Sequence, residues 1–319
     1  DWFAAVIAEL ERNVHTLLAL PDDYHVLLLQ GGATQQFSMV PMLLLHGATQ
    51  PAEYLHTGYW SGKAVRAAQG HGPVRVLWSG EAAQWRRLPR DAELPFSPAA
   101  PYLHYVSNET VEGLQFHRVL GLDEVPRVCD MSSDFLSAPC AAERFALIYA
   151  HAQKNIGPAG VTVVLVRDAL LARAPEGLPD FLDYRTHAAA HSNFNTPPVF
   201  AIYVVLLVTR WLLHEVGGLA RMAEINQRKA QTLYGLIDAH PGVYRGRAAV
   251  ADRSRMNVVF ELPDVQATQR FLAQAQAAGF SGLAGHRALG GIRASLYNGL
   301  TLEAVQRLAQ FMEDFARHG

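Results

Sequence analysis

Lys154 is one of three lysines in a chain whose 27 basic residues are otherwise all arginine. An apolar, strand-like run over 146–150 feeds a short polar element that carries its amine. Gly157-Pro158-Ala159-Gly160 then turns the chain into a second apolar run over 161–166. An ammonium pressed between buried strands loses hydration, so its pKa falls. The free amine needed to attack an aldehyde then becomes available. A surface lysine in a tight turn fits the same spacing. Lys63 lies in a small-residue, helix-like stretch and Lys229 follows Arg228 on a charged helix face, which makes both weaker candidates.

An aldehyde cofactor such as pyridoxal phosphate also needs an anion site for its phosphate, a carboxylate for its pyridine nitrogen and a flat side chain on its ring. The stretch Gln30-Gly31-Gly32-Ala33-Thr34-Gln35-Gln36 follows a strand and opens a helix, where backbone N–H groups point at an anion. The same Gly-Gly is also an ordinary turn signal, and it matches neither a Walker A loop nor GxGxxG. Asp130 ends a strand-like run, and in α/β sheets the carboxyl ends of strands line the ligand crevice. A carboxylate there keeps a pyridine nitrogen protonated; capping the following turn is the alternative. Trp60 offers a face for a ring or a place in the core. Thr110, past another strand end, offers a hydroxyl.

The totals bound the rest. A formal charge of −2 with both signs dispersed argues against nucleic acid, which needs a clustered basic surface. Cys129 and Cys140 give neither a disulfide framework nor metal-ligand spacing, which fits a reducing, cytoplasmic setting. The fourteen histidines form no zinc signature. The start reads as helix and not as a signal peptide; without a Met, it suggests residues preceding Asp1. The apolar stretch 199–213 contains Arg210 and is shorter than the roughly 20 residues a bilayer span needs, so a buried helix is expected, with Thr196 as N-cap.

Short apolar runs alternate with helical patterns, which predicts an α/β fold. Strands are expected over 26–29, 52–57, 74–78, 102–106, 127–130, 146–149 and 161–166, with helices over 35–45 and 62–69 and a helix or single turn over 141–144. Residues 88–101, with four prolines, read as a surface loop. From about 213 the pattern changes to a long amphipathic helix, strands over 256–262 and 292–296, a helix over 265–278 and a last amphipathic helix. Two domains follow, 1–213 and a smaller 214–319.

The stretches GGATQQF (31–37), HTGYWSGKA (56–64), HYVSNETVEG (104–113), CDMSSDFLS (129–137), AQKNIGPAG (152–160), FNTPP (194–198), RSRMNV (253–258) and GHRALGGIRASLYN (285–298) span the chain in order. Together they resemble the phosphoserine aminotransferase family, class V of the fold-type I pyridoxal-phosphate enzymes. The resemblance implies a large cofactor domain with a mostly parallel sheet and a smaller C-terminal α/β domain. It implies that Lys154 joins covalently to the cofactor, Asp130 pairs with its pyridine nitrogen, Trp60 stacks on the ring and Thr110 contacts it near the ring oxygen. Ala33, Thr34 and Gln153 would hold the phosphate with Asn195 and Thr196 from a second subunit, making a homodimer the working unit. Arg293 would grip the substrate α-carboxylate, and His286 and Arg287 its distal phosphate or carboxylate.

The implied reaction moves the amino group of L-glutamate to 3-phosphohydroxypyruvate, with phosphohydroxythreonine of vitamin B6 synthesis as a further substrate pair. The resemblance also implies Gly-Pro-Ala and Ser-His-Arg motifs near the start. Neither stands near the start of 1–319, where Gly-Pro-Ala comes only later at 157–159, and that His-Arg pair would supply part of the distal anion site. His151 stands where the family usually carries a small residue. The competing readings are a class V cysteine desulfurase or lyase, which needs a mobile catalytic cysteine, and a cofactor-binding scaffold without turnover.

Overall fold

A computed structural model describes residues 2–318. The chain opens with α1 (Trp2–Leu18), whose buried Val6, Ile7, Leu10, Val14 and Leu18 recur at helical spacing. Then come β1 (Tyr24–Leu29), α2 (Gly32–Leu44), β2 (Ala52–His56), α3 (Tyr59–Gln69) and β3 (Val74–Ser79). After the proline-rich segment follow β4 (Leu103–Val106), the small hairpin β5 (Asn108–Glu109) and β6 (Leu114–Gln115), β7 (Arg127–Asp130), β8 (Leu147–His151) and β9 (Thr162–Arg167). Helices α4 (Asp168–Leu171), α5 (Tyr184–Ala189) and α6 (Val199–Trp211) lead to α7 (Leu219–Ala239). The chain ends with β10 (Arg245–Gly246), β11 (Asn257–Glu261), α8 (Val265–Ala277), β12 (Ile292–Ser295) and α9 (Leu302–His318).

Seven strands form one sheet in the order β1-β9-β8-β7-β4-β2-β3. The run from β8 to β3 pairs in parallel, and β9 is antiparallel to both its neighbours, so β1 points with the parallel set. Strands β4 and β7 are buried throughout, as strands covered on both faces must be. The expected mostly parallel α/β sheet is therefore present. Its consequence for function is geometric: the carboxyl ends of β1, β2, β4, β7 and β8 share one edge.

A second, antiparallel sheet, β10-β11-β12, has its own apolar core with α7, α8 and α9. The stripe of α7 divides between the two cores. Leu219 and Met222 pack with the large sheet, whereas Ala230, Leu233 and Ile237 pack with the small one.

Several expectations need correction. Helices α2 and α3 begin three residues earlier than periodicity suggests, because Gly31–Gly32 and Gly58 let the strands turn directly into them. Over 141–144 the single-turn alternative holds, as a 3-10 turn at 142–144. Thr196 caps nothing; Pro198 occupies the capping position of α6. That helix is also not buried all round, since Val199, Phe200 and Leu207 are exposed. The loop 88–101 buries Leu88 and Leu94, and Arg90 pairs with Asp252 at 2.9 Å. Lys229 is fully buried, not on an exposed face. Its ammonium donates to the carbonyls of Leu296, Tyr297 and Leu300 at 2.9, 3.0 and 3.0 Å, which compensates the lost hydration.

Candidate active site

The shared edge of strand ends carries the residues singled out above. The segment after β8 winds into a tight turn, with the Ile156 and Gly157 N–H groups donating to the Ala152 carbonyl at 3.1 and 2.9 Å. Asn155 fixes it: its Nδ2 donates to the Phe135 carbonyl at 2.7 Å and its Oδ1 accepts the Asn298 N–H at 2.9 Å. Asn226 on α7 in turn donates to Asn298 Oδ1 at 2.9 Å and the Ser137 carbonyl at 3.0 Å. Three buried asparagines, from the lysine turn, α7 and the segment after β12, thus hold the turn in place together with carbonyls of the 135–137 segment. Spacing along the chain gave no sign of this network.

Lys154 Nζ lies 4.9 Å from the centroid of the Trp60 indole. Burial pulls its pKa down and Arg293 adds to the effect, while the carboxylates of Asp130 and Glu109 oppose it. Asp130, the last residue of β7, is buried and accepts the Ser132 N–H at 2.9 Å. Burial raises its carboxyl pKa, against the pull of Lys154 and Ser132. A cationic N–H beside it would restore the carboxylate form.

Trp60 is fixed at both ends. Its Nε1 donates to Thr110 Oγ1 at 3.1 Å, and its backbone N–H donates to Glu109 at 3.1 Å. Glu109 also accepts the Ser61 N–H at 3.0 Å, and Glu112 that of Tyr59 at 2.9 Å. Two carboxyl groups therefore cap the N-terminus of α3, where the helix dipole favours negative charge. Gly58 permits the approach, since a methyl group there would sit 2.4 Å from Glu112 Oε2. Burial raises both carboxyls above their ordinary range. Neither glutamate was singled out from the sequence; the NET segment of the family motif was the available signal.

Gly31 and Gly32 have φ of +90° and +71°, which bends the chain from β1 into α2. No side chain caps α2, so its first-turn N–H groups, those of Ala33 and Thr34 among them, lack intrahelical acceptors. Gln153 is exposed on the lysine turn. Asn195 and Thr196 are exposed as well, beside the end of β1, where Gln30 Nε2 donates to the Thr196 carbonyl at 2.9 Å.

Arg293 on β12 reaches over the same edge. Its Nη1 lies 3.4 Å from the Thr110 carbonyl, and its buried Nε has no hydrogen-bond partner. The His286 ring lies 4.8 Å from that of Tyr59. Lys63 Nζ lies 4.9 Å from the Tyr59 ring and 5.1 Å from the Trp60 ring. Lys63, followed by exposed Arg287, holds the Tyr59 phenol below its ordinary pKa. Lys63 therefore faces the pocket that the sequence reading gave only to His286, Arg287 and Arg293.

These residues fit a pyridoxal-phosphate cofactor. A partly buried amine faces an indole, a buried carboxyl forms no ion pair among the described residues, an uncapped helix start can meet a phosphate and an orphaned guanidinium nitrogen can meet a carboxylate. The cysteines do not fit desulfurase chemistry. Cys129 is buried within β7, and burial holds its thiol far above its ordinary range and pushes that of Cys140 up to about 12. Neither supplies a thiolate near neutral pH.

The aminotransferase class-V family model matches residues 2–308. Phosphoserine aminotransferases of Herpetosiphon aurantiacus and Laribacter hongkongensis are each 48% identical to this chain, covering 98% and 99% of it and 87% and 88% of their own lengths. The solved phosphoserine aminotransferase of Bacillus circulans subsp. alkalophilus is 44% identical with a TM-score of 0.96, over 99% of this chain and 87% of that one. The PLP-bound phosphoserine aminotransferase of Trichomonas vaginalis is 34% identical with a TM-score of 0.90, over 97% and 87%. The chain belongs to the class-V aminotransferases and, within them, to the phosphoserine aminotransferase family.

Proposed function

We propose that the chain uses pyridoxal 5'-phosphate to transfer the amino group of L-glutamate to 3-phosphohydroxypyruvate, giving O-phospho-L-serine and 2-oxoglutarate. The observation that carries this reading is the Lys154 amine, its pKa lowered by burial, set against the Trp60 indole with Asp130 buried nearby. When bound, the cofactor supplies an aldehyde carbon and an electron-accepting ring. The chain does the rest. Lys154 Nζ, once in its free-amine form, takes the Cα proton of the substrate and returns it, the role of a positioned base with lowered pKa. Asp130 holds the pyridine nitrogen protonated, Trp60 covers one ring face and Thr110 fixes the indole. The first turn of α2 at Ala33 and Thr34, with Gln153, receives the phosphate.

Arg293 takes the substrate α-carboxylate in the paired geometry that suits a guanidinium. His286 and Arg287 take the distal anion, a carboxylate in one substrate and a phosphate in the other. The same tolerance extends to the phosphohydroxythreonine pair. A homodimer belongs to this reading, with Asn195 of the partner subunit and Thr196 of the partner subunit completing the phosphate site. So does a cytoplasmic setting, supported by two free thiols. Residues 1–213 then carry the cofactor and 214–319 form the smaller unit, supported by the separate core around β11.

A coupled half-reaction tests the assignment. L-Glutamate should discharge the visible absorption of the bound cofactor, and 3-phosphohydroxypyruvate should restore it. Lys154→Ala should abolish the borohydride-reducible adduct and lower turnover by at least about 10³-fold. Retained turnover would mean that another group carries the cofactor. A yellow protein that exchanges no amino group would support the scaffold reading, and sulfide release from cysteine the desulfurase reading.

A further inference from the structure

His151 takes no part in the chemistry above, yet its ring lies among the residues assigned to the cofactor's phosphate. Residue 151 pairs with Thr162 across β8 and β9, and its Nδ1 lies 3.0 Å from Thr162 Oγ1. Its backbone N–H donates to Ser132 Oγ at 3.1 Å. Alternation along β8 puts its side chain on the same face as Tyr149, which packs against Phe37 of α2. There the imidazole lies under the first turn of α2: a methyl group built on Gly32 would sit 3.6 Å from Nδ1, at van der Waals contact. Gln153, two residues further on, lies close enough to the ring for its side chain to favour the protonated imidazole.

The charge around the ring is sparse. The first turn of α2, Gly32 to Gln35, has no ionisable side chain, and the facing residue of β9 is Thr162. The charged groups that act on the imidazole are Lys154 from the turn after β8 and Asp130 from β7, with opposite signs. Burial lowers its pKa. A phosphate beside it would reverse that trend by favouring the imidazolium form.

We propose that His151 is a positioning residue of the cofactor-phosphate site, holding the Gln153 amide toward the phosphate and adding, when protonated, a positive charge beside it. The inference rests on the reading of Lys154 and α2 as the cofactor site, and its test is chosen to separate the two. Pyridoxal carries the same aldehyde and ring as pyridoxal phosphate and lacks only the phosphate. A residue that serves the phosphate affects one ligand, whereas a residue that merely packs affects both.

The full chain, freed of cofactor, is titrated with pyridoxal phosphate and with pyridoxal, reading quenching of tryptophan fluorescence. At about pH 6.5, His151→Gly should weaken pyridoxal-phosphate binding about tenfold and leave pyridoxal within about twofold, the loss of one charge-assisted contact. At about pH 8.5, where the imidazole is neutral, the loss should shrink. His151→Asn keeps an amide N–H without the charge, so its deficit should be smaller and independent of pH. It also provides the comparison if the glycine variant fails to fold. Equal losses for both ligands, no loss for either, or the same loss at both pH values would overturn the proposal. Wild-type protein with no preference for pyridoxal phosphate over pyridoxal would instead undo the cofactor-site reading beneath it.

Discussion

Arg293 shows how much of this site is decided by single side chains. Its Nε is buried without a partner, and Thr110 offers one of its other nitrogens only a 3.4 Å contact. A buried guanidinium nitrogen left unpaired costs free energy, so the site is built to receive a carboxylate. Arg293→Lys replaces the paired fork with a point charge. KM for L-glutamate should rise about 10- to 100-fold, the value of one charged hydrogen-bonded contact, while kcat falls less. Steady-state kinetics decide the matter, and an unchanged KM would remove Arg293 from substrate binding. At this scale, the sequence yielded residues that follow a strand end directly, such as Asp130 and Trp60. It did not yield residues defined by what meets them from elsewhere. Lys63 reads as an ordinary helical lysine until Tyr59 and Arg287 are seen beside it, and Lys229 reads as exposed until three carbonyls of the 296–300 segment surround it.

At the scale of elements, α3 is the part on which Trp60 depends, and its start is held by Glu109 and Glu112. Burial and then the charge of Glu109 push the Glu112 carboxyl up to about 8. A carboxyl whose folded pKa lies above its unfolded one gives stability that is complete below the unfolded value and lost as pH rises toward the folded one. Between about pH 4.5 and 8 the wild type should therefore lose a few kcal/mol relative to Glu112→Gln, whose amide oxygen still accepts the Tyr59 N–H. Urea unfolding of both proteins at pH 5.5 and 8 gives the comparison. A difference between the two proteins that stays the same at pH 5.5 and pH 8 would show that Glu112 is ionised in the folded state. The strands of the large sheet were legible because buried strands leave continuous apolar runs. Pieces such as β5, β6 and β10 are two residues long and carry no period to read. The true starts of α2 and α3 were hidden because glycines, which look like turn, begin both.

Across the whole molecule, one face leaves a run of large apolar side chains uncovered. Phe200 is 74% exposed and Trp2 64%, and Phe194, Val199 and Leu207 add to the uncovered apolar surface of α6 and its approach. Trp2 contacts Tyr203 of that helix at 5.7 Å between ring centroids, and α1 packs along α6, so the surface is continuous. Only a third of the Val199–Val216 stretch is buried, although its mean hydropathy is 1.7. Such a face calls for a covering partner, and a second copy is the economical one. Asn195 and Thr196, offered to a neighbouring site, lie on the chain just before this helix. In the proposed homodimer, dimerisation and cofactor retention would be linked. Phe200→Asp should shift the protein toward monomer in sedimentation velocity and weaken pyridoxal-phosphate binding about tenfold or more, although residue 200 is not among those assigned to the cofactor. An aspartate on a surface that faces only water changes stability by about half a kcal/mol or less and leaves ligand binding alone. A Phe200→Asp protein that stays dimeric, or that becomes monomeric with cofactor affinity intact, would separate the shared-site reading from the apolar face that motivates it.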